Sequence, residues 1–333
     1  MSPVGEPGEV GRPAQYDVVI VGAGPAGLTA AIYNRRSLLS TLIIEKKVPG
    51  GLLNETEHIE NFPGFAETIR ATDLVEAMTS QARRLGAAIV PDEVMGIAAG
   101  AGRIEVRGAV TSYSGHTVIL ATGSHPRKLP VDGAEQWIGR GLSYCATCDG
   151  FFFRDARLLV VGAGDSALTE AIYLTRFARS VGIVVRHPED DPHALRATPA
   201  LVEEARRESK IHFVWNARID ALQGDAKLTA VTLSDLGTGE RRDEPVDGVF
   251  VSIGHLPATE FARGVVDLDK DGYIVTDDRR RTNLDGVFAA GDVRAQSREY
   301  AQAVVAASDG AIAAIEAERY LARLARTAPR SSP

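Results

Sequence analysis

Short apolar runs broken by glycine clusters dominate the hydrophobic pattern of this chain. Tyr16-Asp17-Val18-Val19-Ile20-Val21 is a continuous, mostly β-branched run, as expected of a strand buried on both faces. It passes directly into Gly22-Ala23-Gly24-Pro25-Ala26-Gly27, then into a helical pattern through Tyr33. Thr41-Leu42-Ile43-Ile44-Glu45 predicts a second strand ending in an acid. Leu74 to Leu85 has helical periodicity, with Leu74, Met78 and Leu85 facing inward. Ala87 to Gly115 reads as short strands, and Thr117 to Gly123 as a buried strand ending in a small-residue turn. Arg157 to Val161, Val181 to Arg186 and Gly286 to Asp292 repeat the buried-strand pattern. Phe213 to Ile253 reads as strands with a polar turn at Gly237 to Asp243, and an alanine-rich helix spans roughly Ala301 to Arg323. Gly50-Gly51-Leu52-Leu53 and Asn61-Phe62-Pro63-Gly64 are too rich in Gly, Pro and polar residues for regular elements.

One arrangement occurs twice. Gly22, Gly24 and Gly27 form G-x-G-x-x-G between a strand and a helix, the context that a dinucleotide site requires. The first glycine permits the tight turn, the second lets backbone approach a pyrophosphate, and the third lets helix pack on strand. Pro25 and Ala26 open the helix, whose free N–H groups and dipole favour an anion. Glu45, 23 positions after Gly22, is placed to accept a ribose hydroxyl. At an offset of 140 residues, Gly162, Gly164, Asp165, Ser166 and Ala167 repeat the pattern, alanine replacing the third glycine. Leu28 and Tyr33 recur as Leu168 and Tyr173. Repetition on this scale means two nucleotide-binding domains in an α/β chain. The second copy ends its second strand without an acid. Arg186 and His187 stand there, with Arg196 after an acidic loop. Basic groups at that place suit a 2′-phosphate, hence NADP; the alternative is ordinary solvated charge at a helix entry.

Composition narrows the classes. Hydrophobic residues make up 44% and charged residues 24% of 333, as in a globular protein long enough for two domains. A formal net charge of −7 argues against nucleic acid as partner, and no apolar run is long enough for a bilayer. The first 15 residues lack the apolar stretch of a secretory signal and read as a disordered lead. Both cysteines fall in Cys145-Ala146-Thr147-Cys148-Asp149-Gly150. Two are too few for a structural zinc, so no metal is expected. C-x-x-C of this kind reads as a redox dithiol, or else as two small hydrophobes. Asp149 is either a proton carrier for the pair or only a first-turn helix acid.

Together the two glycine motifs and Cys145 to Phe152 resemble the bacterial low-molecular-weight thioredoxin reductases, which are FAD-dependent pyridine nucleotide-disulfide oxidoreductases. The resemblance extends from Tyr16 to Leu324 and includes Gly50-Gly51, Glu60 to Gly64, Ala121-Thr122-Gly123, Gly139-Arg140-Gly141 and Gly291-Asp292-Val293. It implies two Rossmann-like domains: an FAD domain of residues 16–123 and 254–324, and an inserted NAD(P)H domain of 124–253 carrying the dithiol. Residues 1–15 and 325–333 would be disordered ends. The flavin side would be formed by Gly51, Leu52, Asn61, Ala121, Thr122, Gly123, Gly291, Asp292, Ala301, Gln302 and Ala303. Cys148 would sit beside the flavin, Cys145 would attack the partner disulfide, Asp149 would be the general acid, and Asp292 would contact the ribityl–phosphate region.

The implied activity is transfer of electrons from NADPH through FAD and the dithiol to thioredoxin, in a cytoplasmic homodimer. Gly123-Ser124 and Ile253-Gly254 would act as hinges. The sequence departs from the family pattern in three places. Val185-Arg186-His187 replaces His-Arg-Arg, Leu52 replaces glutamine, and Ala301 replaces arginine, with Arg298 as a substitute cation. The first departure raises the alternatives of NADH, or of no nicotinamide: a ferredoxin-linked reductase or an FAD-dependent oxidase of a small dithiol. A non-catalytic sensor of thiol state is the reading from another class.

Overall fold

In the computed structural model of the chain, residues 14–55, 58–100 and 102–327 are described. The chain forms two compact units. One comprises the described residues up to His125 and those from Leu256 onward; the other is Pro126–His255.

The first unit is built on a seven-stranded sheet. Its strands run in the order Ala88–Pro91, Thr41–Glu45, Ala14–Val21, Ser112–Leu120, Ile104–Gly108, Val94–Ala99, and Val287–Ala289 also pairs with Ser112–Leu120. The strands around Ala14–Val21 are parallel, Val18 to Val21 matching Thr41 to Ile44 on one side and Thr117 to Leu120 on the other. Burial on both faces follows the alternation of the run. Val18 and Ile20 enter one apolar cluster, Val19 and Val21 the other, and all four are buried. Helices α1 (Pro25–Arg36), α2 (Ala71–Arg84) and α6 (Ala303–Thr327) belong to this unit. Leu74 and Met78 of α2 are buried, while Leu85 caps the helix and is partly buried.

The second unit has a five-stranded parallel sheet in the order Leu142–Ser143, Gly248–Val251, Arg157–Val161, Ser180–Val184, Ile211–Val214. Helices α3 (Ala146–Asp149), α4 (Asp165–Leu174) and α5 (Pro199–Arg207) accompany it. A separate antiparallel sheet is formed by Ala217–Gly224, Leu228–Asp235 and Arg241–Pro245. Leu159 and Val161 face one cluster, Leu158 and Val160 the other, repeating the two-sided burial of the first unit.

Several element ends differ from the sequence reading. The first strand begins at Ala14, because Ala14 and Gln15 pair with Tyr113 and Ser114; only residues 1–13 of the expected lead lie outside the described residues. Helix α6 continues through Thr327, past the expected tail boundary at 325, and 328–333 lie outside the described residues. The strand expected at Thr117 starts at Ser112, its first half pairing antiparallel with Ile104–Gly108. The strand expected to reach Arg186 ends at Val184. No helix among the described residues is long and apolar enough to cross a membrane.

Helices α1 and α6 approach closely at Gly310, where a Cβ would run into the carbonyl of Ala26. Gly310→Ala is therefore expected to destabilise the chain by about 1–3 kcal/mol through overpacking, despite the better helix propensity of alanine. Urea unfolding of the two proteins checks this, and equal midpoints would refute it.

Candidate functional site

Each unit turns from strand to helix through glycine under the same constraint. Gly22 has φ +101° and donates its N–H to Ile44 O (2.8 Å); a Cβ there would clash with the carbonyl of Ala121. Gly162 has φ +146°, donates to Val184 O (3.4 Å), and a Cβ would clash with the carbonyl of Ser252. The third small position differs in its neighbours. A Cβ at Gly27 would strike the carbonyl of Gly22, whereas Ala167 is accommodated and fully buried. Gly24 and Gly164, by contrast, face open space, with nothing within 4 Å of a Cβ built on either. Both lie in extended backbone at helix N-caps without a side-chain cap, so the N–H groups of the first turn are turned to whatever lies ahead.

The first glycine loop collects the predicted groups of its unit. Glu45 Oε2 accepts from Ala23 N (2.7 Å) and Oε1 from Lys47 N (2.9 Å), which fixes the carboxylate beside the loop with lone pairs left for a hydroxyl. Gly50 N donates to Ala23 O (2.9 Å), and Gly51, at φ +58°, passes close to Gly24; Leu52 follows, half-buried. Ala121 N donates to Val21 O (2.8 Å), and Thr122 Oγ1 donates to Ala258 O (2.7 Å). Gly123, at φ +67°, accepts from Ala258 N. Asn61 Nδ2 donates to Gln302 Oε1 (3.0 Å), joining two segments 241 residues apart. Ala301, Gln302 and Ala303 are half-buried at the start of α6. Arg298, named as a substitute cation, has an acidic partner of its own. It is held by Asp271 at 2.5 Å and lies over the Tyr273 ring.

Gly291 is wedged between Ala26 of α1 and Ala306 of α6. The next residue, Asp292, has a buried Oδ1 without a hydrogen-bond partner among the described residues. Burial, reinforced by the charge of Asp309, pushes its carboxyl up to about 6. Sequence reading missed the group that holds this loop. Asp309 of α6 is buried and accepts from Gly291 N (3.0 Å), Arg294 Nη1 (2.6 Å), Ser297 Oγ (2.8 Å) and Arg280 Nε (2.9 Å). Burial opposes its ionisation, but the Arg294 hydrogen bond and charge, with Ser297 and Arg280, hold it below the usual carboxylate range. Nothing in the local pattern marks it, since its partners are 12 to 29 residues away.

These residues fit FAD. An anion-ready helix start, a carboxylate at the end of the second strand and an orphaned buried acid at Asp292 are the features a dinucleotide with a polyol arm would use.

In the second unit, Asp165 Oδ1 accepts from Thr198 N (2.6 Å), and Arg196 N donates to Ala163 O (2.7 Å). The segment after the second strand is thus fastened to the glycine loop through the Arg196 backbone. Arg186 and His187 are exposed just beyond that strand, and Ser166 is exposed on the first turn of α4. His187 Nδ1, however, lies 2.8 Å from Asp191 Oδ2.

Cys145 and Cys148 are disulfide-bonded, with Cα atoms 5.3 Å apart. Cys145 is the N-cap of α3, and its Sγ accepts from Cys148 N (3.2 Å), a contact that would stabilise a thiolate. Asp149 is held by Ser143 Oγ, which donates to its Oδ2 (2.6 Å) and accepts from Cys145 N (3.1 Å). Burial pushes the Asp149 carboxyl above the usual carboxylate range, only partly offset by the Ser143 hydrogen bond. Ser143, buried two residues before Cys145, also escaped sequence reading: a serine ending a strand carries no signal of its partner.

The pattern of the pyridine nucleotide-disulphide oxidoreductase family matches residues 16–310. A thioredoxin reductase of Streptomyces clavuligerus is 46% identical over 312 residues, 93% of this chain and 95% of its own length. One of Bacillus subtilis is 42% identical over 313 residues, 94% of this chain and 96% of its own. Among solved structures, the thioredoxin reductase of Streptococcus pyogenes, 40% identical, covers 94% of this chain and 100% of that one at a TM-score of 0.88.

Glu170 of α4 is a further acid, half-buried with its Oε2 out of solvent. Its Oε2 has no hydrogen-bond partner among the described residues, and burial pushes the carboxyl from an ordinary 4.5 up to about 7. Because the folded-state pKa is raised, the folded chain binds the proton more tightly. This contribution to stability is therefore complete below about pH 4.5 and is lost as pH rises through about 7. Glu170→Gln is expected to match the parent near pH 4 and to exceed it above pH 8 by up to about 3 kcal/mol. Urea unfolding across pH checks the sign, and a variant that is less stable at pH 8 would refute it.

Proposed function

The chain belongs to the pyridine nucleotide-disulphide oxidoreductase family, and on that premise we propose that it is a thioredoxin-disulfide reductase. Electrons pass from NADPH through FAD and the Cys145–Cys148 pair to the disulfide of a thioredoxin-like protein. The observation that carries this reading is the Cys145–Cys148 disulfide at a helix start, with a half-buried Asp149, its carboxyl pushed up by burial, hydrogen-bonded through Ser143 to the same turn. FAD, when bound, supplies two-electron transfer between nicotinamide and disulfide.

The residues of this chain have separable roles. The first turn of α1 and Gly24 would hold the FAD pyrophosphate, Glu45 the ribose, and Asp292 the ribityl arm. The loop at Gly162 and Gly164 would take the nicotinamide dinucleotide. In the reduced pair, the Cys145 thiolate attacks one sulfur of the partner disulfide, and the partner's other sulfur leaves as a thiolate. The Cys148 thiolate then attacks Cys145 Sγ, re-forming the Cys145–Cys148 bond and releasing the second partner thiolate. The two departing thiolates take up two protons in all, one from Asp149 and one from solvent. Residues 16–123 and 254–324 form the FAD part and 124–253 the nicotinamide and dithiol part of this proposal. Gly123 and Gly254, both at positive φ, serve as its hinges. A cytoplasmic homodimer belongs to the same proposal and rests on the family resemblance.

Anaerobic addition of NADPH to the flavin-loaded protein is expected to bleach the flavin, and oxidised thioredoxin to restore it. Cys145→Ser and Cys148→Ser should each still bleach with NADPH while losing thioredoxin reduction by on the order of a thousandfold. Absence of bleaching with NADPH would reject the reading. Asp292→Ala should weaken FAD binding by about ten- to a hundredfold, the worth of one charge-assisted hydrogen bond, as measured by fluorescence titration of the apoprotein.

A further inference from the structure

In a βαβ dinucleotide site, the end of the second strand lies at the adenosine ribose. A carboxylate there accepts the 2′-hydroxyl and disfavours a 2′-phosphate, while basic groups do the reverse. In the second unit that strand is Ser180–Val184, and the segment after it is tied down at three points. Asn216 N donates to His187 O (2.9 Å), Arg196 N to Ala163 O (2.7 Å), and Thr198 N to Asp165 Oδ1 (2.6 Å). The segment that carries the basic side chains is therefore attached to the glycine loop itself.

Within it, the turn Pro188 to Asp191 closes by Asp191 N donating to Pro188 O (3.2 Å), and folds a carboxylate back onto the base that precedes it. Asp191 Oδ1 accepts from His193 N (2.8 Å), and Oδ2 sits 2.8 Å from His187 Nδ1. Asp191 is the better covered of the two, with a side-chain exposure of 26% against 56% for His187. Glu189, on the same turn, faces Arg206 at 3.9 Å instead, and Asp190 is exposed. Of these three acids, Asp191 is the one directed at the basic group.

We propose that Asp191 is a specificity-determining residue for the nicotinamide substrate: its carboxylate engages His187 and puts a negative charge where a 2′-phosphate is read, weakening the preference for NADPH over NADH. The inference rests on the reading of the Gly162–Gly164 loop as the nicotinamide site.

The test compares the FAD-loaded parent with Asp191→Asn and Asp190→Asn, which remove the same charge from the same turn. Asparagine retains an Oδ1 acceptor for His193 N, so the turn is kept. The affinities of 2′,5′-ADP and 5′-AMP are measured by calorimetry, and kcat/KM with NADPH and with NADH by turnover. Asp191→Asn is expected to raise both ratios, 2′,5′-ADP over 5′-AMP and NADPH over NADH, by about two- to fivefold, the size of a partly exposed charge contact. Asp190→Asn is expected to move them less. Unchanged ratios in Asp191→Asn, or an equal shift in Asp190→Asn, would overturn the role of Asp191 while leaving the nicotinamide site standing. If the parent bound neither nucleotide, the nicotinamide site would fall and this inference with it.

Discussion

Both units depend on a glycine forced beneath a neighbouring strand's carbonyl. At Gly22 the obstacle is Ala121 and at Gly162 it is Ser252, each just past the end of the adjoining parallel strand. No side chain fits, and both residues take positive φ, so the chain leaves the sheet in a direction that L side chains rarely adopt. The consequence is chemical as much as architectural. A helix begins immediately after the turn, without a side-chain cap, and its N–H groups face outward beside open backbone at Gly24 and Gly164. Anion affinity at both places follows from how the turn is built.

The acids around these turns are sorted by what surrounds them. Asp309 is buried yet kept ionised, because Arg294, Arg280, Ser297 and the Gly291 amide converge on it. Asp292 and Asp149 are half-buried with fewer partners and hold their protons more tightly than a free carboxyl. Asp309 both fixes the Gly291 loop and adds the negative charge that helps raise Asp292. One ionised acid thus positions the loop carrying its neighbour and tunes that neighbour, while near the sulfurs Ser143 links Asp149 to the Cys145 amide. A carboxyl raised in this way is better matched to moving a proton during thiol exchange than one at the ordinary value.

Much was legible from the sequence alone. Two strand–glycine–helix repeats, the acid at Glu45, the dithiol with its neighbouring Asp149 and the closing alanine-rich helix all declare themselves locally. Apolar runs, glycine spacing and C-x-x-C are constraints between residues close in the chain, so their chemistry can be read without a fold. The two faces of Tyr16 to Val21 were readable for the same reason, since a run without polar alternation has no solvent side.

Only the tertiary structure determined which distant groups meet. The extension of the first strand to Ala14 comes from pairing with Tyr113 and Ser114, and α6 runs one turn further, through Leu324-Ala325-Arg326-Thr327. Asn61 with Gln302, Asp309 with Gly291, and Arg298 with Asp271 are contacts across the chain that no local pattern encodes. Asp191 shows the limit within a single loop: its sequence shows an acid near two bases, but only the folded turn shows that His187 is the base it engages. The residues that could do chemistry were legible because their types and spacings are local. Which of them touch, and how tightly each holds a proton, was decided by packing.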